Sequence, residues 1–326
     1  MERMAENLIE VQRLKQYFPI STGWFQTRPL KAVDGVSFHI RRGETLGLVG
    51  ESGCGKTTVG RTLLHLYPPT SGQIIFDGKE VKNRQDIREF RKKASMVFQD
   101  PYSSLNPRMT VADLIAEPLD IHRLYENRQE RRERVLALMA KVGLNAEHAG
   151  RYAHEFSGGQ RQRIGIARAL AMEPEFVVCD EPVSALDVSI QAQILNLLMD
   201  LQDQFGMSYL FITHDLSVVK HISHDIAVMY LGQCVESGST EEIFKHPAHP
   251  YTKALLASIP TPSLATRDKE PQIIRGEVVS PINPAPGCRF AARCPYATDA
   301  CREAQQEREI REGHFVMCCR AEELAE

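Results

Sequence analysis

A glycine-rich loop, Gly50-Glu-Ser-Gly-Cys-Gly-Lys-Thr57, constrains this chain more than any other stretch. It fits the pattern G-x-x-x-x-G-K-[ST]. It also lies where such a loop must lie, after a short apolar strand (Leu46 to Val49) and before a helical run (Thr58 to Leu66). Glycines there let backbone N–H groups curl around phosphates, and the helix N-terminus adds partial positive charge. Gly50, Glu51, Ser52, Gly53, Cys54, Gly55, Lys56, Thr57 and Thr58 are therefore candidate nucleotide-binding residues. Lys56 is expected to reach the β- and γ-phosphates, and the Thr57 hydroxyl to ligate Mg²⁺.

The surrounding pattern is that of an α/β protein. Leu30 to Ile40 alternates like a strand, and Gln73 to Phe76 is a short apolar strand candidate closed by the turn pair Asp77-Gly78. Thr45 to Val49 is another short apolar strand candidate, and Phe176 to Cys179 and Tyr209 to Ile212 read as buried parallel strands. Arg131 to Val142 and Ile190 to Leu201 have helical spacing. Strands alternating with helices favour a parallel sheet covered on both faces. After Ile259, Pro260-Thr-Pro-Ser breaks any helix and Asp268 to Glu270 is charged. The expected organisation is one α/β unit over residues 8–260 and a small cysteine-rich extension over 261–326.

Composition narrows the function classes. The chain has 326 residues, 43% hydrophobic and 25% charged, enough apolar side chain to exclude a mostly disordered protein. No apolar run approaches the ~18–20 residues that span a bilayer. Met1 to Glu10 carries Glu2, Arg3, Glu6 and Glu10 and does not read as a secretory signal, so a cytoplasmic location is expected. A net charge of −3 argues against nucleic-acid binding through the phosphate backbone.

Phe176-Val-Val-Cys-Asp-Glu181 supplies acidic groups at a strand end. Alone, an Asp-Glu pair after a core strand is an ordinary surface feature. Coupled to a phosphate loop, Asp180 is expected to hold Mg²⁺ through water and Glu181 to polarise the attacking water. Phosphoryl transfer asks the protein mainly for charge neutralisation and an in-line nucleophile.

Between these motifs lies Phe156-Ser-Gly-Gly-Gln-Arg-Gln-Arg163. Here the sequence resembles the ATP-binding-cassette ATPases, whose signature is Ser-Gly-Gly-Gln before a helix. The resemblance implies a phosphate-loop NTPase fold, with a RecA-like parallel core, an antiparallel β subdomain and an α-helical signature subdomain. Ser157, Gly158, Gly159 and Gln160 would then complete the nucleotide pocket of an opposite subunit, so that ATP is sandwiched between two cassettes. Other positions follow in order. Gln99, in Val97-Phe-Gln-Asp-Pro101, resembles the Q-loop glutamine that contacts Mg²⁺ and senses the membrane partner. Asp187, in Ser184-Ala-Leu-Asp187, resembles the D-loop aspartate at the dimer interface. His214, in Ile212-Thr-His-Asp215, resembles the switch histidine at the γ-phosphate. Phe18 resembles the aromatic residue that stacks on adenine, with neighbouring Tyr17 as the alternative. Glu181, His214 and Gln99 are thus the expected catalytic residues.

A narrower resemblance rests on His246-Pro-Ala-His-Pro-Tyr-Thr-Lys-Ala-Leu255, Pro281-Ile-Asn-Pro-Ala-Pro-Gly-Cys288-Arg-Phe, Arg293-Cys-Pro295 and Leu105-Asn-Pro-Arg108. These are similar to the second ("F") type of ATP-binding subunit in bacterial dipeptide/oligopeptide permeases. The resemblance implies import of dipeptides or oligopeptides, coupled to ATP hydrolysis. The implied partners are a sister ATPase forming a heterodimer, two transmembrane permease subunits and, indirectly, an extracytoplasmic peptide-binding protein. Membrane contact would come only through the permease, at the cytoplasmic face of the inner membrane. Nickel and other small-solute importers share the subfamily and stand as the alternative. A soluble ATPase acting on ribosomes or DNA would carry paired cassettes or long coiled coils, which this chain lacks; a regulatory subunit would not need Glu181 and His214.

Five of the eight cysteines fall in the last 39 residues: Cys288, Cys294, Cys301, Cys318 and Cys319. In a reducing cytosol such a group reads as a metal or cluster site before it reads as disulfides. Four thiolates suit zinc or an iron–sulfur cluster. The subfamily resemblance implies a [4Fe-4S] cluster on Cys288, Cys294, Cys301 and Cys318. The family's last cysteine is usually followed by His, and Cys319 occupies that place here, so Cys319 is the alternative fourth ligand.

Overall fold

The computed structural model describes residues 6–21, 27–259, 276, 280–282, 284 and 286–324. The start of the chain, the expected boundary near residue 260, the Pro260-Thr-Pro-Ser break and the charged Asp268 to Glu270 lie outside the described residues. The chain divides into two compact units, neither of them continuous in sequence. One consists of Met1–Leu8, Ile40–Glu44 and Val81–Ile212; the other consists of Ile9–His39, Thr45–Glu80 and Thr213–Glu326.

The first unit is the parallel α/β part with its helices. Ala94–Val97 pairs parallel with Phe176–Asp180, which pairs parallel with Ser208–Thr213, in the register Asp180 to Ile212. Phe176–Asp180 and Ser208–Thr213 are buried at every position, as strands covered on both faces must be. Its four longest helices are Val111–His122, Arg128–Lys141, Gly158–Leu170 and Val188–Phe205. Each is begun by a side-chain cap: Thr110, Asn127, Ser157 and Asp187 accept from the backbone N–H three residues on. Such a cap contributes about 1 kcal/mol. Leu114, Ile115, Val135, Met139, Ile164 and Ile166 form the shared core, all at most 2% exposed. Each such side chain stabilises by about 1.5–3 kcal/mol relative to exposure. Arg131 staples two helices, with Nε donating to Asp120 at 2.7 Å and Nη2 donating to Asp113 at 3.1 Å.

The second unit holds an antiparallel sheet in the order Thr27–Arg41, Asn7–Ser21, Ser71–Phe76, Lys79–Glu80. Ile9 sits opposite Phe76 and Val11 opposite Ile74, which directs one apolar face inward. Its other sheet starts with Thr45–Val49, parallel to Asp225–Tyr230. There the direction changes, because Asp225–Tyr230 pairs antiparallel with Gln233–Ser239 through a turn at Leu231 and Gly232, both at positive φ. In this unit the expected parallel pairing is thus continued by antiparallel strands. Gln233–Ser239 in turn pairs antiparallel with His314–Val316, and that strand with Arg308–Arg311. The cysteine-bearing segment is thus woven into the sheet of this unit rather than hung from it.

The seam between Gln233–Ser239 and His314–Val316 is a buried polar knot. Glu236 is 1% exposed and accepts from Ala248 N at 2.7 Å and His249 N at 3.0 Å. His314, fully buried, brings Nε2 to 2.8 Å from the same carboxylate. Burial holds the neighbouring His249 neutral, its pKa pushed down to about 4.

Candidate nucleotide site

In the second unit the fully buried strand Thr45–Val49 ends at Gly50 and the helix Lys56–Leu63 begins after Gly55. Gly55 has φ +109, and a Cβ there would stand 2.1 Å from the Ala32 carbonyl oxygen, so no other residue fits this corner. Lys56 is 4% exposed. Its Nζ donates to Gly50 O at 2.7 Å and to Glu51 O at 3.1 Å. The lysine is therefore held over the loop by the loop's own carbonyls. Ser52 and Gly53 are exposed, and Thr57 and Thr58 are half-buried. Cys54 is buried and its thiol is pushed up by desolvation, so it packs rather than reacts.

The aromatic candidates separate. Successive residues of a strand face opposite sides. The Tyr17 hydroxyl donates to Asp34, and burial together with that bond pushes the phenol up to about 12. Phe18 packs edge-on against Tyr67, with centroids 5.4 Å apart and planes at 86°. Phe18 leaves a ring face without a polar tether, whereas Tyr17 is committed to Asp34. His214 is exposed at the end of Ser208–Thr213, just before the short helix Leu216–Ile222, which Asp215 caps by accepting from Ser217 N at 2.8 Å.

In the first unit Asp180 is fully buried at the end of its strand. Glu181 follows in the left-handed region, φ +44, and its N–H donates to Ile212 O at 2.9 Å. A non-glycine residue held there is strained, and such strain gathers at functional sites. Its carboxylate Oε2 accepts from Gln99 Nε2 at 2.9 Å. Two of the three expected catalytic residues are thus in contact.

The signature begins the helix Gly158–Leu170. Ser157 Oγ accepts from Gln160 N at 3.4 Å, and Gln160 Oε1 accepts from Ser157 N at 3.1 Å, a reciprocal capping box. Ser157 and Gly158 are exposed while Gly159 is buried. A Cβ on Gly159 would meet Ile190 Cγ2 at 2.5 Å, so this glycine is fixed by packing against the helix that Asp187 caps. Asp187 accepts from Ser189 Oγ at 2.8 Å and Ile190 N at 3.1 Å, and these bonds hold its carboxyl below the usual range. Signature and D-loop therefore share one surface, where Val188 is 81% exposed.

The five late cysteines also draw together. Cys301 Sγ lies 3.8 Å from Cys319 Sγ. Cys288 has Cys318, Cys301 and Cys294 as electrostatic neighbours, and burial pushes its thiol up to about 11. Cys301 is lowered: burial raises it, but hydrogen bonds from Thr298 and Cys319 outweigh that. Among the described residues, however, no group of three or more His, Cys, Asp or Glu side chains is gathered so as to hold a metal ion.

Sequence reasoning missed two residues that the structure ties to the phosphate loop and one that it ties to the strand Thr27–Arg41. Arg293 pairs with Glu51, the Tyr251 hydroxyl accepts from Glu51 N at 2.8 Å, and Arg289 pairs with Asp34. Arg293 and Tyr251 lie inside stretches quoted for the subfamily resemblance, but nothing in their spacing announces a partner some two hundred residues earlier.

Comparison with known proteins decides the family. Residues 33–184 match the family described as ABC transporter, and residues 235–301 match the oligopeptide/dipeptide transporter C-terminal region. The oligopeptide transport ATP-binding protein AppF of Bacillus subtilis is 53% identical over 96% of this chain and 97% of its own length. The chain belongs to the ABC transporter ATP-binding proteins. The dipeptide transport ATP-binding protein DppF of Escherichia coli is 49% identical to this cassette, over 97% of the chain and 95% of its own length. Among solved structures, the ATP-binding cassette MJ0796, a dimer in a post-hydrolysis state bound to ADP and Pi, superposes with a TM-score of 0.64. It is 27% identical and covers 71% of this chain and 98% of its own. The cassette has the α/β phosphate-loop NTPase fold that the motifs implied. Among the described residues no helix is long and apolar enough to cross a membrane.

Proposed function

We propose that this cassette is the ATP-hydrolysing subunit that powers import of dipeptides or oligopeptides through a membrane permease. The observation that carries the reading is near-full-length identity of about one half to proteins named for oligopeptide and dipeptide transport. In this reading Lys56 leaves the Gly50 and Glu51 carbonyls for the β- and γ-phosphates. Phe18 stacks on adenine. Gln99 holds Glu181 until the nucleotide is in place, and Glu181 then polarises the attacking water while His214 contacts the γ-phosphate. The oxygen donors Thr57, Asp180 and Gln99 suit Mg²⁺, which neutralises phosphate charge when bound. The exposed Ser157–Gly158 edge and the Asp187 loop present an anion site and an apolar residue to a companion cassette. ATP thereby binds the closed dimer better than the open one, and that difference can drive a conformational cycle.

The companion in this reading is a sister ATPase. The pair docks on two permease subunits at the cytoplasmic face of the inner membrane and is fed by an extracytoplasmic peptide-binding protein. Reconstitution with the permease subunits in liposomes tests it. ATP-dependent uptake of labelled peptides is the expected result; uptake of nickel chelates without peptides would move the assignment to the other branch of the subfamily. A strictly monomeric preparation hydrolysing ATP at full speed with Ser157 and Gly159 replaced would remove the dimer mechanism altogether.

The finer domain reading is a nucleotide-binding domain over 8–260 followed by a cysteine-rich extension over 261–326. Within it, a [4Fe-4S] cluster on Cys288, Cys294, Cys301 and Cys318 is proposed from the five cysteines of this segment and the approach of Cys301 Sγ to Cys319 Sγ, 3.8 Å. The thiol donors suit such a cluster, but holding it requires them to turn toward a common centre. Cys319 is the alternative fourth ligand and zinc the alternative metal. Anaerobically purified protein should be brown, absorb near 400 nm and contain about four irons per chain. A colourless, metal-free and equally stable protein would eliminate the cluster, and zinc alone would select the other metal.

A further inference from the structure

The phosphate loop carries one carboxylate, Glu51, and a negative charge beside an anion site opposes the ligand that the loop is built for. The structure answers that charge from the cysteine-bearing segment. Arg293 Nη1 donates to Glu51 Oε2 at 2.8 Å, and Nη2 donates to Oε1 at 3.1 Å, a two-pronged fork. The Arg293 side chain is only 6% exposed. Its guanidinium lies 5.9 Å from the centre of the Tyr230 ring, and Nη1 also donates to the Tyr230 hydroxyl at 3.3 Å.

The backbone of Glu51 is fixed by the same group of side chains. Its N–H donates to the Tyr251 hydroxyl at 2.8 Å. Tyr230, Tyr251 and Phe290 pack on one another with ring centroids 4.7 to 5.4 Å apart, so the support is a rigid aromatic cluster. The Glu51 carbonyl accepts from Lys56 Nζ at 3.1 Å. One loop residue thus joins the fork, the aromatic support and the phosphate-binding lysine. Without the fork, the Glu51 carboxylate becomes a charged competitor for the Lys56 ammonium.

We propose that Arg293 is a positioning residue for nucleotide binding. It neutralises Glu51 and fixes it, so that Lys56 and the loop N–H groups face the phosphates without a rival anion. Cys294 follows it directly and Phe290 lies three residues before it, so the affinity of the loop depends on the order of the cysteine-bearing segment. The inference rests on the nucleotide reading above and names a residue outside the phosphate loop, the signature and the other nucleotide-site motifs.

The test is MgATP binding to the full chain by calorimetry. Arg293→Ala should raise Kd on the order of tenfold, and Arg293→Lys, which keeps the charge but loses the fork, should fall between it and the wild type. The deciding readout is the background. In Glu51→Gln protein, adding Arg293→Ala should change Kd by less than about twofold, because the charge to be neutralised is gone. Raising the salt concentration should narrow the gap between wild type and Arg293→Ala. Equal Kd for wild type and Arg293→Ala, or an equal loss in both backgrounds, overturns the proposal and leaves Arg293 a structural residue. If Arg293→Ala does not fold, Arg293→Lys compared in the same two backgrounds carries the test. Failure of the wild-type chain to bind ATP would instead strike the nucleotide reading itself.

Discussion

Glu181→Gln is expected to keep MgATP binding within a few-fold of wild type while cutting steady-state hydrolysis by about 10²–10⁴-fold. Glutamine keeps the shape of the side chain and a carbonyl oxygen to accept from Gln99 Nε2, the bond seen at 2.9 Å. It also keeps the backbone at φ +44, since both residues bear the same cost there. What it loses is the negative charge that draws a proton from water. Lys56→Ala should do the reverse, losing affinity first. Its ammonium donates to Gly50 O and Glu51 O, and charge-assisted bonds of this kind are worth roughly 10–100-fold in binding when exchanged for phosphate. Equilibrium binding alongside phosphate-release kinetics separates the two. A Glu181→Gln protein turning over at the wild-type rate would refute the assignment of the base.

His314→Ala is expected to lower the thermal unfolding midpoint by about 5–10 °C, at a cost of roughly 2–4 kcal/mol. The histidine is fully buried, and its Nε2 is 2.8 Å from the carboxylate of Glu236, which is 1% exposed. Its loss leaves that carboxylate with two backbone donors, Ala248 N and His249 N, and an empty volume where the ring stood. The paired strands Gln233–Ser239 and His314–Val316 should then part before the rest of the unit, seen as early proteolysis near residues 305–320. A midpoint within about 1 °C of wild type, on the scale expected for an exposed residue, would show that Glu236 is not relying on His314.

Much of the candidate nucleotide site was legible because its parts are contiguous and obey local chemistry. Gly50 to Thr57 must be glycine-rich to approach phosphate, and the apolar runs Thr45–Val49 and Phe176–Asp180 are what strands buried on both faces look like. The signature was readable as Ser157 before a helix. That Gly159 is required by the Ile190 side chain was not, since packing between two helices leaves no local mark. The reversal of strand direction after Asp225–Tyr230 was missed for a related reason. Periodicity reports which faces are buried, and a strand of either direction satisfies it. The Arg293–Glu51 fork spans 242 positions and the Glu236–His314 bond spans 78. No propensity or spacing rule couples residues so far apart; only the fold does.

The seam closed by His314–Val316 has a bearing on how the chain is made. Gln233–Ser239 leaves the ribosome about 75 residues before the strand that covers its outer edge. At about 5–20 residues per second the nascent protein exposes that unpaired edge for roughly 4–15 s. During this interval its N–H and C=O groups can template pairing with a neighbouring chain. Early termination or slow decoding between residues 240 and 314 would lengthen the exposure. The codons between residues 240 and 316 thus set how long that edge stays uncovered.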